Sequence, residues 1–595
     1  MSDQALSNQA VIRKVFSYFV TILGSEHSYY SLAIVYGLGI SALSLALPLS
    51  VQMLVNTIAN TALGTPLAVL ALTLFALLLT AGLLNALRIH LMDLFSRRFY
   101  ARMVSEIALR AIYALNPFFQ DSNKGTLFNR YFDILIVHKT VPYLLVGGFT
   151  TVLQAGFGFV LVSLYHPLFL GFVIVLMLLI WLIWLAWGGR AIRSAVQVSH
   201  QKHATAAWLE GLGASNGFFK SQRHINEALT RTDAATAEYI DRHQRHFRHH
   251  FAQILCFLVL YASASAGLLG LGGWLVIQGE LSLGQLVAAE VVLSVAFYGI
   301  SQMGTYLAYF YELCGALDEL GLFYEVEQEE PAGDPVPFEG DGALAYVNAR
   351  GDARGRTTTL NFSIPAGARI YANVETHGIQ REMTNLLKRL DRPRSGFVTL
   401  GGQDVKSIQA HELRRHVIVL DRPNAIELTI REYLNLSAQS GSSVNLLQAL
   451  DIVGLDIAIA QLEDGLDTRI APTGWPLTIT ETMQMKLAAA LIAQPRVLVL
   501  GELYDTLPDR YLSRALDLLR NEAETTVIYF SNRPPSDSLD FDGYLFLGHQ
   551  SQRVHDSYTG LCRHRDATSG NAGHSEAHTY VPGDISPSAE RGSPA

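Results

Sequence analysis

The sequence predicts an α-helical membrane domain of six spans followed by an α/β domain. Hydrophobic residues make up 50% of the 595-residue chain and charged residues only 16%, which is too apolar for an ordinary soluble protein. Six apolar segments in the first half each approach the ~20 residues needed to cross the hydrocarbon core. In the second half, short apolar strands are followed by helix-like runs. The predicted spans are roughly 29–52, 65–88, 142–165, 167–188, 251–278 and 284–308.

The positions of arginine and lysine predict the orientation of these spans. The connection after the second span and the connection after the fourth are both long and rich in arginine, whereas the three short connections carry neither arginine nor lysine. By the positive-inside rule, both long connections, both termini and the α/β domain face the cytoplasm. Residues 1–25 form a polar, amphipathic stretch ahead of a long apolar run, so no cleavable signal peptide is expected.

Landmarks of the second half occur in a recognisable order. The apolar strand RIYA (369–372) precedes the helix-like run MTNLLKRL (383–390), and the strand VLVL (497–500) follows LAAALIAQPR (487–496). Between them lie RPRSG (392–396), VTLGGQD (398–404), HELRRHVIVLDRP (411–423), TIREYL (429–434) and GLDTRI (465–470). This order resembles the nucleotide-binding domain of an ABC exporter, an α/β fold of the P-loop NTPase kind. Six spans with two long internal connections resemble the membrane domain of the type I exporter fold, and residues 274–290 look like bacterial exporters of the type I secretion kind.

The predicted organisation has five segments. An N-terminal cytoplasmic amphipathic segment precedes an ABC type-1 transmembrane domain, and an acidic linker with Pro and Gly joins that domain to a cassette. A Ser-, Gly-, Pro- and Ala-rich tail with little to bury is predicted to be disordered. The boundaries are 1–25, 26–322, 323–342, 343–566 and 567–595.

The phosphate-binding loop implied by the resemblance lacks its chemistry. Such a loop needs glycines that let backbone N–H groups close around the β-phosphate, a lysine that neutralises charge, and a Ser or Thr hydroxyl for magnesium. Counting back from Gly396 by the family spacing, the glycine, lysine and serine positions hold Ile379, Gln380 and Arg381. Glu382 and His377 lie alongside, and only Gly378 survives nearby. The loop is therefore predicted not to clamp a polyphosphate.

The remaining nucleotide-site motifs are replaced in the same way. The glutamine that senses magnesium becomes Asp421, the magnesium-binding Asp becomes Gly501, and the switch histidine becomes Asn532. The adenine-stacking aromatic has no counterpart around Gly351. Glu502 stands at the general-base position, and a carboxylate alone cannot catalyse hydrolysis without a held metal and phosphate. The LSGGQ signature reads Leu477, Thr478, Ile479, Thr480 and Glu481.

The membrane half offers fewer candidates. Residues 117–133, with Gly125 and Arg130, and the stretch around Glu210 resemble the coupling segments at the tips of the long connections; solvated helix faces are the alternative interpretation. Glu290, about six residues into the sixth span, is a candidate substrate or gating group, or a group that snorkels to the outer interface. The histidines of 243–250 lie three or four apart, and an interfacial cationic helix is favoured there over a metal site. No metal site is predicted.

The resemblance implies a half-transporter that dimerises. We expect a heterodimer with a partner half that has intact motifs, in the bacterial inner membrane. The alternative is a homodimer driven by something other than ATP. This chain alone is expected to bind no cofactor, with ATP and magnesium held through the partner. A periplasmic adaptor would be implied if the system is type I secretion-like, and nothing suggests nucleic-acid binding. The competing hypothesis is a membrane scaffold or regulatory subunit that uses the fold for protein contacts and transports nothing.

Overall fold

The computed structural model describes residues 8–60, 64–115, 125–329, 338–353, 355–438 and 444–572. It divides into two compact units, Met1–Gln328 and Glu329–Ala595, here called the helical unit and the α/β unit.

The helical unit contains nine α-helices within its described residues. Six helical stretches are long and apolar enough to cross a membrane, which confirms the predicted number of spans. The first stretch, Ala10–Leu54, runs over three helices, of which the second and third meet at Leu45. The third stretch combines two helices joined by a π-helical segment, Leu144–Phe149. The helices are α1 (Asn8–Leu23), α2 (His27–Ser44), α3 (Ala46–Asn60), α4 (Gly64–Ile112), α5 (Asp133–Tyr143), α6 (Thr150–Ser163), α7 (Pro167–Ala214), α8 (Gln222–Ile277) and α9 (Leu283–Gly321).

Three of these helices are much longer than a bilayer requires. Helices α4, α7 and α8 have 49, 48 and 56 residues, and at about 1.5 Å per residue each exceeds the ~30 Å hydrocarbon core. Serine caps define where two helices begin: Ser221 accepts from His224 N at the start of α8, and Ser282 forms a capping box with Gln285 at the start of α9. The long helices therefore continue well beyond the membrane.

The α/β unit is built from two sheets and eight helices within its described residues. Its strands are β1 (Leu344–Ala353), β2 (Arg356–Ile364), β3 (Arg369–Val374), β4 (Ser395–Leu400), β5 (Gln403–Asp404), β6 (Val417–Leu420), β7 (Val497–Leu500), β8 (Thr526–Phe530), β9 (Gly543–Leu547) and β10 (Gln552–His555). Its helices are α10 (His377–Leu387), α11 (Ala410–His416), α12 (Ile430–Ser437), α13 (Leu446–Val453), α14 (Asp456–Ala460), α15 (Ile479–Ala493), α16 (Asp509–Ala523) and α17 (Tyr558–Ala572).

The larger sheet explains the apolar strands seen in the sequence. Its order is β10-β9-β3-β8-β7-β6, in which neighbours from β9 to β6 are parallel and β10 is antiparallel to β9. All four residues of β7 are fully buried, as expected for a parallel strand covered on both faces. The smaller sheet, β2-β1-β4-β5, is antiparallel. Since parallel strands end at one edge of the sheet, the segments after β3, β6, β7 and β8 lie close together.

Two predicted boundaries need correction. The helical unit continues past residue 322 in a 3₁₀ turn, Leu322–Glu325, whose Phe323 is buried, so the linker does not begin at 323. Helix α17 continues to Ala572, so residues 567–572 are helical and the prediction of disorder is wrong for them. Residues 330–337 of the linker and 573–595 of the tail lie outside the described residues.

Gly454, which ends α13, is predicted to be indispensable for packing. Its φ of 71° is left-handed, and an added Cβ would lie 2.3 Å from the ring of Tyr511. Gly402 is the matched control, because its φ of 77° is similar and nothing lies within 4 Å of the added Cβ. We predict that Gly402→Ala costs about 1 kcal/mol of backbone strain, and that Gly454→Ala lowers the thermal midpoint of the full-length protein further. Equal midpoints for the two variants would contradict the packing argument.

Candidate functional site

The phosphate-loop position lies between β3 and α10. Only Glu375 and Thr376 separate the end of the strand from the start of the helix. The predicted glycine and lysine positions, Ile379 and Gln380, therefore lie inside the first turns of α10, where both side chains are buried. Gly378 is buried beside them. A phosphate loop instead presents backbone N–H groups from a glycine-rich segment ahead of its helix.

Two predicted site residues contact each other directly. His377 Nδ1, at the first residue of α10, lies 3.3 Å from Glu502 Oε1. Glu502 begins the 3₁₀ turn that follows β7, and its side chain is partly buried. The carboxylate at the predicted general-base position is therefore in contact with His377, a side chain of the predicted phosphate-loop segment. Arg381 lies one turn further along α10 and is exposed.

The two residues predicted to stand at magnesium-site positions, Asp421 and Gly501, also lie together, after β6 and β7. Gly501 N donates to Leu420 O at 2.9 Å, and a Cβ on Gly501 would lie 3.1 Å from Asp421 Cα. A side chain at Gly501 would therefore require Asp421 to move by a few tenths of an ångström. The segment after Asp421 is tied down by Lys486, whose Nζ donates to Arg422 O and Asn424 O at 2.7 and 2.5 Å. Burial lowers the pKa of Lys486.

The signature position forms the capped start of α15. Thr478 Oγ1 accepts from Glu481 N at 3.2 Å, and a carboxylate oxygen of Glu481 accepts from Thr478 N and Thr478 Oγ1, both at 2.8 Å. Leu477 is buried and Ile479 is 59% exposed; Thr480 follows in the first turn of α15. A helix N-terminus attracts anions through its free N–H groups and its dipole. Here a carboxylate of the same chain occupies that position.

The switch position is held by its backbone. Asn532 N donates to Asp505 Oδ2 at 3.2 Å, and Asp505 also accepts from the Tyr529 hydroxyl. Asn532 itself is exposed. The next residue, Arg533, pairs with Asp509. The segment after β8 is therefore fixed by carboxylates that belong to the same edge of the sheet.

Glu382, for which no role was predicted, is a buried carboxylate next to Gly351, near the position predicted for the adenine-stacking aromatic. Glu382 is 4% exposed, its Oε1 has no hydrogen-bond partner among the described residues, and a Cβ on Gly351 would fall 1.7 Å from that atom. Only glycine fits on β1 at this point. Burial, followed by the charges of Asp391 and Asp352, raises the pKa of Glu382 to about 7. A glutamate directly after the predicted serine position was the available sequence signal.

In the helical unit, Arg130 is bound internally. Its Nε donates to Glu319 Oε2 at 2.5 Å, and Glu319 is fully buried on α9. Nearby, Asp133 accepts from Lys202 Nζ at 2.7 Å and contacts His203 Nε2 at 2.5 Å. These contacts join the segment just before α5 to α9, and the start of α5 to α7. Glu210 is exposed near the end of α7, Gly125 begins a 3₁₀ segment that ends at Phe132, and residues 117–124 of the predicted tip lie outside the described residues.

The other membrane candidates separate into buried and exposed groups. The rings of His246 and His250 lie 6.2 Å apart and both contact the ring of Tyr311 edge-on. His246 Nδ1 is 3.0 Å from Ser194 Oγ. Within the described ranges, no three His, Cys, Asp or Glu residues form a group that could hold a metal. Glu290 is exposed on α9.

Six membrane-spanning helices followed by an α/β unit of this topology define an ABC exporter fold, as predicted. Residues 30–300 match the family model for the ABC transporter transmembrane region. The helical unit is therefore an ABC exporter membrane domain, and the chain is an integral membrane protein.

Similar proteins include exporters with different named cargoes. The chain is 26% identical over 561 residues to the ABC multidrug transporter mdr2 of Aspergillus fumigatus, covering 88% of this chain and 68% of that protein. It is 24% identical to the β-(1→2)glucan export ATP-binding/permease protein NdvA of Rhizobium etli, covering 43% of this chain and 46% of the relative. It is 24% identical to the α-hemolysin translocation ATP-binding protein HlyB of Escherichia coli O157:H7, covering 39% of this chain and 34% of the relative.

A solved structure shows the same fold along almost the whole chain. The match is a bacterial Atm1-family ABC exporter with ATP bound, with a TM-score of 0.74 and 19% identity. It covers 93% of this chain and 99% of that one.

Glu382 makes the stability of the α/β unit depend on pH. Because its pKa is raised in the folded state from 4.5 to about 7, its contribution is fully present below the unfolded pKa and is lost as the pH rises through 7. A tenfold change in proton affinity corresponds to about 1.4 kcal/mol. We predict that Glu382→Gln raises the thermal midpoint of the full-length protein at about pH 8 and leaves it nearly unchanged at about pH 4.5.

The control for this prediction is Glu463→Gln, a change at an exposed carboxylate in a turn. It should leave the pH dependence of the wild type intact. If Glu382→Gln had the same thermal midpoint as the wild type at both pH values, this would contradict a raised pKa of Glu382 in the folded protein.

Proposed function

We propose that this chain is the non-hydrolysing half of a dimeric ABC exporter. Its helical unit lines a transport path together with a second half-transporter, and the partner supplies the ATP-binding motifs. The observation that supports transport is a polar face on α9, within the segment that spans the membrane. The altered nucleotide motifs of the α/β unit support the assignment of ATP chemistry to the partner.

The polar face follows one side of α9. Its members recur every three or four residues, or at a multiple of that spacing, so they share a helix face. From the first to the last member the face rises about 33 Å, close to the thickness of the hydrocarbon core. Tyr298, in the middle of the face, is 63% exposed. Ala308 lies on the same face, one turn before Glu312, and Val295 lies beside this face. The polar residues are Glu290, Ser294, Tyr298, Ser301, Thr305 and Glu312.

The exposed surface of α7, in the same unit, is apolar. The exposed residues of α7 at membrane depth include Ile174, Leu178, Trp181 and Leu185, which are suited to hydrocarbon. Carboxylates and hydroxyls are costly in that environment and normally face a bundle interior or a water-filled cavity. The polar face of α9 is therefore assigned to a hydrated path, and Glu290 to the outer part of that path.

The nucleotide motifs argue against ATP chemistry in this chain alone. A magnesium-bound triphosphate needs cationic and N–H groups that offset its negative charge. The described positions offer instead the Glu481 carboxylate at the start of α15, the Glu502 carboxylate beside His377, and buried Ile379 and Gln380. We infer that these residues do not fit Mg–ATP. The loss extends to the signature, so even the site shared with a partner's phosphate loop is incomplete.

Location and partners complete the proposal. We place the chain in a bacterial inner membrane, and the charge distribution of the connections supports a cytoplasmic position for the α/β unit and both termini. The named cargoes of the relatives range from drugs to a glucan and a protein toxin, so the family relationship selects no substrate. A periplasmic adaptor belongs to the proposal only for cargo of the secreted-protein kind. Gly125 and Glu210 keep their proposed role in coupling, whereas the buried Arg130–Glu319 pair favours a structural role for Arg130.

The purified chain alone should not turn over ATP. We predict a rate equal to that of its Glu502→Gln variant, because Gln380 and Gly501 stand where a lysine and a magnesium ligand would hold the phosphate near that carboxylate. In a complex with a partner that has an intact phosphate loop and signature, any hydrolysis should depend on the partner's phosphate loop, and Glu502→Gln in this chain should not change the rate. Hydrolysis by the lone chain that is lost in Glu502→Gln would contradict the proposal.

Access of water to the polar face of α9 distinguishes the transport hypothesis from the scaffold hypothesis. In a background without Cys256, Cys314 and Cys562, we predict that Ser294→Cys and Ser301→Cys in the assembled complex react with a small membrane-impermeant maleimide, since hydrated thiols ionise and react.

Leu178→Cys is the matched control, because this residue is 51% exposed on α7 among apolar side chains and should be protected by lipid. Protection of all three positions would show the α9 face to be covered, which favours the scaffold hypothesis.

A further inference from the structure

A cationic cleft in the α/β unit has a lining that includes none of the predicted nucleotide-site residues. It has a volume of about 950 Å³ and is formed by the start of β2, by β10 with the turn before it, and by α17. Six of its lining residues are basic or can become so: Arg356, Arg553, Arg563, His549, His555 and His564.

The charge of this cleft is strongly unbalanced. Arginine stays protonated at any physiological pH, and among the described residues Arg356, Arg553 and Arg563 form no ion pair with a carboxylate. The lining contains one carboxylate, Glu375, within the described part of the chain. An oxygen of Glu375 already accepts from His549 N at 3.0 Å. Three fixed positive charges therefore converge on one solvent-filled space.

The histidines are held in place around this space. His549 Nδ1 lies 2.7 Å from Thr358 Oγ1, on β2. His555 Nε2, on β10, lies 3.2 Å from His564 Nδ1, on α17, and the two rings meet nearly at right angles. These contacts join the three elements that form the walls. Burial and the neighbouring charges of His564 and Arg553 lower the pKa of His555, as expected where positive groups are concentrated.

We propose that this cleft binds a small soluble anion that carries two or more linked phosphates. Guanidinium groups recognise phosphate through paired N–H donors, and a single monovalent anion would leave most of the charge of three arginines uncompensated. The volume is within the range of small-ligand sites. Because Glu375 directly follows β3, an anion bound here would lie next to the altered phosphate-loop segment without using its residues.

The test titrates sodium tripolyphosphate, without magnesium, into the full-length protein in a neutral detergent. The double variant Arg553→Ala/Arg563→Ala should weaken binding by at least about tenfold, since it removes charge-assisted hydrogen bonds, which are stronger than neutral ones. The matched control is Arg431→Ala/Arg514→Ala, which removes two exposed arginines of the same unit that pair with Asp467 and Asp451. The control should bind within about twofold of the wild type.

Four results would overturn the proposal. The wild type could show no binding, or the two double variants could bind equally. A short-chain phosphatidic acid in the same detergent could bind where tripolyphosphate does not, which would make the ligand a lipid headgroup. If binding survived the loss of Arg553 and Arg563 but was lost in His377→Ala/Gln380→Ala, the anion would be at the phosphate-loop position, which would also contradict the proposed function.

Discussion

The carboxylate of Glu481 closes the start of α15, so this helix end is not free to attract an anion. Thr478 and Glu481 satisfy each other's backbone N–H groups in a reciprocal cap, which stabilises a helix by about 1 kcal/mol. The same N–H groups and the same end of the helix dipole would otherwise attract a phosphate. The Glu481 carboxylate lies there instead, so the cap stabilises the helix and its negative charge disfavours a phosphate at this position.

The α/β unit keeps the fold of a nucleotide-binding domain because its core does not depend on the residues that touch the nucleotide. The strands β3, β6, β7 and β8 are apolar and parallel, and they pair in register without any contribution from Gly501, Asn532 or Gln380. Replacements at the strand ends then acquire contacts of their own. His377 contacts Glu502, and Glu382 fits against Gly351. These contacts are consistent with a domain that acts as a structural partner, while the polar face of α9 retains the features of a transport path.

The sequence was sufficient for features that depend on local pattern. Hydropathy predicted the six spans, and runs such as RIYA and VLVL predicted buried strands, because both depend on neighbouring residues alone. The spacing of Thr478 and Glu481 is also a capping-box pattern, so the start of α15 depends on neighbouring residues as well. The tail boundary was misplaced because composition does not record that α17 packs through Leu561 against Tyr371 and Phe546.

Contacts between distant segments could not be predicted. Arg130 pairs with Glu319, 189 residues away, and nothing near Arg130 in the sequence distinguishes a buried ion pair from a coupling contact. The cationic cleft brings Arg356 of β2 to Arg563 of α17 only because β10 and the turn before it lie between these two elements. Such sites depend on sheet order and strand register, which a single sequence leaves open.

The most direct test of the central claim is magnesium-dependent ATP binding by the lone chain. The measurement uses the Arg553→Ala/Arg563→Ala background, so that the cationic cleft does not contribute, and compares titrations of ATP with and without magnesium. The account predicts no saturable binding that requires magnesium, because no group at Gln380 or Gly501 can hold the metal–phosphate pair. Saturable, magnesium-dependent binding that is lost on substitution of His377 and Gln380 would contradict it.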